Sequence, residues 1–149
     1  MIRILLILLV PATLWGGSVL PLRLDDLSRL SGKIFAGSCL GTVRELDENR
    51  IPSLYLRVRV TDAVRGIETG PALWKQYDGS PACREGESLV WFLYPESAIG
   101  FTSPVGLGQG RFFIETDAEG RRWVVSPFPH LNEDLGPLES FLESIRRDR

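Results

Sequence analysis

The chain has 149 residues, 44% of them hydrophobic and 24% charged, with a formal net charge of −2 and a pI near 5.5. That balance excludes a disordered chain, and its mild acidity excludes a general electrostatic attraction to nucleic acid or anionic lipid. One histidine and two cysteines are too few soft ligands for a zinc finger or a Cys-rich scaffold.

Met1-Ile2-Arg3, the unbroken aliphatic run Ile4 to Val10 and the small residues Gly16-Gly17-Ser18 are the three parts of a secretory signal peptide, with a cut expected after Ser18. The alternative is an uncleaved anchor, because no charge interrupts Ile4 to Leu22, a stretch close to the ~20 residues that span a bilayer. Pro11, Gly16, Gly17 and Pro21 make that stretch a poor continuous helix, since an interior proline costs about 3 kcal/mol. The expected organisation is therefore a leader over residues 1–18 and one domain over 19–149, periplasmic or extracellular. A membrane becomes a partner only if the leader stays uncleaved.

Leu24, Leu27 and Leu30, with Asp25 and Asp26 ahead and Arg29 behind, predict a short helix that Gly32 stops. From Lys33 to Leu46 the chain is rich in small and β-branched residues. Gly37 and Gly41 inside the run predict a bent or bulged strand, and Asp47 to Arg50 a polar turn. Ser53 to Arg65 alternates cleanly: Leu54, Leu56, Val58, Val60 and Val64 on one face, Tyr55, Arg57, Arg59 and Thr61 on the other.

A short strand is expected over Ala72 to Tyr77. Ser88 to Tyr94 is apolar on both faces and reads as the central strand. A loop rich in Gly, Pro and Ser runs from Pro95 to Gly110. Arg111 to Thr116 and Arg121 to Val125 form a hairpin across a turn ending at Gly120. Leu138, Phe141, Leu142 and Ile145 place an amphipathic helix over 137–147, with Pro137 at its first position. Five or six strands with a helix at each end predict an all-β barrel or sandwich.

Ile34-Phe35-Ala36-Gly37, then Val58-Arg59-Val60 with Val64-Arg65-Gly66, then Cys83-Arg84-Glu85-Gly86-Glu87 ahead of Val90-Trp91-Phe92-Leu93, stand in an order that resembles the netrin-like domain family. That family includes the tissue inhibitors of metalloproteinases, and the chain looks most like its uncharacterised bacterial branch. The resemblance covers roughly residues 33 to 95 and implies an OB-like barrel of five to six strands. The inhibitors begin with Cys-x-Cys, which binds the catalytic zinc of the target. No cysteine stands near Val19-Leu20-Pro21, so that mode of inhibition is not implied.

The chemistry-bearing residues are sparse. In an exported chain Cys39 and Cys83 read as a structural disulfide, the alternative being two separate buried thiols. Gly106 to Gly110 runs into a strand without the Gly-Lys-Ser/Thr of a phosphate loop, so it reads as a connection. With Ser97, Thr102, Ser103 and Gln109 that loop is one candidate binding surface; Tyr55, Arg57 and Arg59, an aromatic-basic stripe, are the other. His130 has no nucleophile motif to serve. The expected function is a non-catalytic exported binding module, without cofactor or metal, for a protein or envelope component. The alternatives are a protease inhibitor acting by loop insertion and an enzyme using Cys39, Cys83 or His130.

Overall fold

Strand alternation and glycine placement account for most of the architecture. The structure, a computed structural model, describes residues 19–133 and 135–148; the expected leader lies outside the described residues. Helix α1 (Leu24–Leu30) leads into strands β1 (Lys33–Leu46), β2 (Pro52–Arg65), β3 (Gly70–Tyr77), β4 (Ser88–Leu93), β5 (Arg111–Thr116) and β6 (Arg122–Val125), and helix α2 (Leu138–Arg147) ends the series. All six strands form one antiparallel sheet in the order β3-β2-β1-β4-β5-β6.

In place of the expected barrel or sandwich, the structure shows an open, strongly curled sheet. β3 and β4 lie three places apart in the strand order, which in a flat sheet would separate them by roughly 14 Å. Yet the rings of Trp74 on β3 and Trp91 on β4 are 5.5 Å apart, and Phe35 on β1 contacts both at 5.8 and 5.3 Å. The curl is what brings them together, and these rings are the centre of one core. Leu54, Leu56, Val58, Val60, Leu89 and Leu93 complete it, beside Cys39 and Cys83.

The other face carries a second core. Ile34, Ala36, Val90, Phe92, Phe112 and Val124 pack there against α1 and α2, with Phe141 of α2 meeting Phe92 and Phe112 ring to ring. β4 is therefore buried on both sides, as its unbroken apolar run requires.

Three register shifts bend β1 against β2. At Gly37 a Cβ would fall 2.4 Å from the Arg59 carbonyl oxygen, so only glycine admits the approach. The second shift changes which face β2 presents. Gly37 pairs with Val60 and Ala36 with Asp62, so Thr61 is an extra residue. One extra residue exchanges the faces of everything beyond it. Val64 consequently packs in the helix-side core, not with Leu54 to Val60 as simple alternation predicts.

The ends of the helices also differ in detail from expectation. α1 stops at Ser31, whose hydroxyl donates to the Leu27 carbonyl at 2.6 Å. Gly32 serves a close approach instead, because a Cβ there would lie 2.8 Å from Pro95 Cα. Pro137 sits just before α2 as its N-cap rather than at the first helical position.

Candidate functional site

β2 presents Arg57 and Arg59 on the outer face of the sheet because their neighbours Leu56, Val58 and Val60 are committed to the core. In the register of β3, Arg57 stands opposite Leu73 and Arg59 opposite Pro71. With Leu40 from the bulged part of β1, these side chains line a trough of about 380 Å³ floored by Val58 and Ala72. Leu73 is 61% exposed, and Arg57, Arg59 and Pro71 are also exposed. Neither guanidinium has a hydrogen bond or ion pair among the described residues, which sets them apart from Arg65 and Arg111, both bonded to carbonyls. Tyr55 is half-buried one step further along the same face, opposite Val43 and Lys75.

The second group of candidates is turned inward. Gln109 is fully buried and acts as a hub. Its Oε1 accepts the Leu22 N–H at 2.9 Å and lies 2.8 Å from His130 Nε2; its Nε2 donates to the carbonyls of Leu20 and Gly106, both at 3.0 Å. Thr102 is buried and donates to the Tyr94 carbonyl at 2.6 Å. Ser97 is exposed, but its Oγ accepts the Phe101 N–H at 3.1 Å, closing a local turn, and Ser103 is half-buried. The loop Pro95 to Gly110 is thus a packed connection. Its exposed parts are the turn at residues 95–99 and Leu107, which is 77% exposed with a φ of 56°.

A charged cluster fastens the open edge of the sheet. Lys75 Nζ donates to Asp47 and Glu48 in the β1–β2 turn, each at 2.9 Å, and lies 4.7 Å from the ring centre of Phe101. Phe101 stacks on Tyr77 and makes an isolated parallel bridge to Lys75, and the Thr102 N–H donates to the Lys75 carbonyl at 3.1 Å, so β3 is joined to the loop after β4. The bonds to Glu48 and Asp47 raise the Lys75 pKa above its ordinary value. Burial pushes Asp47 upward, but the Ile51 N–H, the Lys75 ammonium and the Asn49 N–H outweigh it and hold the carboxyl below its ordinary value.

Cys39 and Cys83 form a disulfide, S–S 2.03 Å, so neither sulfur is a free nucleophile. This is the state of an oxidising compartment. Among the described residues no three His, Cys, Asp or Glu side chains converge as metal ligands, and no helix is long and apolar enough to cross a membrane. No protein-family model matches the chain, and no characterised protein is similar to it.

Sequence reasoning found Arg57 and Arg59 but missed the walls of their trough. Leu73 and Trp74 are adjacent apolar residues on one strand, and alternation alone does not say which of them faces outward. The Lys75 cluster carries no local signal either, since its partners stand 27 and 28 residues away.

Proposed function

We propose that this protein is a non-catalytic, exported binding module that recognises a protein or cell-envelope component through the outer face of β1, β2 and β3. The observation that carries this reading is the trough itself: two exposed, unpaired guanidinium groups beside exposed leucine and proline side chains. A rigid sheet displays them, and the Cys39–Cys83 bond ties β1 of that sheet to the segment leading into β4. The bond also supports a periplasmic or extracellular home.

The curl of the sheet and the parallel link from Lys75 to Phe101 support an OB-like barrel of the netrin-like kind. Fold likeness transfers shape and little chemistry. The inhibitor reading draws less support, because Phe101, Thr102 and Val105 of the loop that would insert are buried.

Site-specific photo-crosslinking tests the proposal. A photoreactive residue at Leu73 of the exported protein should trap a defined partner, and the same residue at exposed Glu143 on α2 should not. Trapping that is equal at the two positions, or absent at both, overturns the reading.

A further inference from the structure

The trough has a spacing and a chemistry that narrow its occupant, on the reading of the outer face given above. Arg57 and Arg59 lie two residues apart on one strand, so their Cα atoms are separated by roughly 6.6 Å. That is also the repeat of same-side residues on any other extended chain. Each guanidinium offers a planar fork of donors that matches a carboxylate with two parallel hydrogen bonds. Between and beside these forks, Leu40 and Leu73 offer apolar surface, and both are only partly covered.

β3 is the last strand of the sheet, so the trough is open on that side and a chain can settle into it without threading. Pro71 lacks an N–H and blunts the β3 edge beside Arg59. Recognition there falls to side chains rather than to an added strand ladder. We propose that the trough binds an extended, acidic segment of a partner protein, with carboxylates at alternate positions on Arg57 and Arg59 and apolar side chains against Leu40 and Leu73.

An anionic membrane fits less well. A lipid surface is held by many basic groups acting together, whereas this chain is acidic overall and the trough supplies only two arginines.

The experiment is a selection of random twelve-residue peptides on the oxidised, exported protein. The selected peptides are then titrated against the wild type, Arg57→Ala, Arg59→Ala and Leu73→Asp. The expected consensus has Asp or Glu at two positions separated by one residue, with apolar neighbours. Affinity should fall about tenfold or more in each arginine variant and weaken with added salt. Both arginines are exposed and unpaired, so the variants should fold as the wild type does.

Selected peptides without paired acids that still lose binding in Leu73→Asp would overturn the acidic segment while leaving the binding face in place. Acidic peptides indifferent to all three substitutions would overturn both. If no peptide is selected, or if only phosphatidylglycerol vesicles bind in an Arg57- and Arg59-dependent way, the acidic segment is overturned, and crosslinking from Leu73 judges the face separately.

Discussion

Lys75 shows how one buried cation can govern the pH response of an otherwise ordinary surface. Its side chain is 9% exposed and its partner Asp47 is fully covered, while Glu48 reaches in from solvent. Asp47 and Glu48 are both held below their ordinary carboxylate values. Groups depressed on folding contribute stability above their unfolded pKa, near ~4, and that stability is lost as pH falls through the lower folded value. Lys75 is raised, so its contribution is present below its unfolded pKa of ~10.4 and is lost as pH rises through the higher folded one. Melting temperature followed by circular dichroism should therefore be level through neutral pH and decline in acid. Lys75→Met should be less stable at neutral pH and show a shallower acid decline, because without the cation the folded carboxyl values move back toward the unfolded ones. An unchanged acid limb would show that the ammonium does not set their ionisation.

Among the elements, the loop Pro95 to Gly110 is the one whose role changes most between sequence and structure. Its composition, with Ser97, Thr102, Ser103 and Gln109, suggests an adaptable polar surface. The structure spends Thr102 and Gln109 on part-buried backbone groups of neighbouring segments, the Leu20 and Tyr94 carbonyls and the Leu22 N–H. Gln109→Leu keeps much of the volume but removes both the acceptor and the donors. Each buried group left without a partner costs about 1–3 kcal/mol. Urea unfolding should register a loss of about 1 kcal/mol or more, and trypsin should cut after Arg23 faster as residues 20–22 come loose. Unchanged stability and proteolysis would mean that Gln109 is free to serve a ligand.

Strand positions were legible because alternation and double-sided burial are local properties: β5 runs over Arg111–Thr116 and β1 over Lys33–Leu46, as their patterns predict. Gly37 and Gly41 marked the bends in β1 because a missing side chain is visible in a sequence. The face change at Thr61 was not legible, since a bulge depends on which residue of β1 lies opposite. The walls of the trough were hidden for the same reason. Leu40, Pro71 and Leu73 come from two strands, and only the register sets them around Arg57 and Arg59.

For the whole molecule, the decisive covalent fact is the link between Cys39 and Cys83, 44 residues apart in sequence. Closing a loop of that length lowers the entropy of the unfolded chain and stabilises the fold by about 4 kcal/mol on the chain-entropy account. The double variant Cys39→Ser with Cys83→Ser should lose stability of that order in guanidinium titrations, with both cores otherwise intact. A loss below about 1 kcal/mol would place the stabilisation in packing rather than in the cross-link.

The position of that link also bears on how fast the protein reaches its fold. β1 pairs with β4 from Ser38 opposite Ser88 to Lys33 opposite Leu93, a junction that a reduced chain must find by closing a loop of about 50 residues. Once oxidised, the chain holds Cys83 beside Cys39, and only the short run from Cys83 to Ser88 remains to be ordered before the ladder can zip. Shortening the search in this way lowers the closure entropy by roughly 2 kcal/mol. Oxidised protein should thus refold up to about thirtyfold faster than reduced protein. A newly made chain that acquires its bond early would accordingly spend less time with its sheet unpaired and open to aggregation.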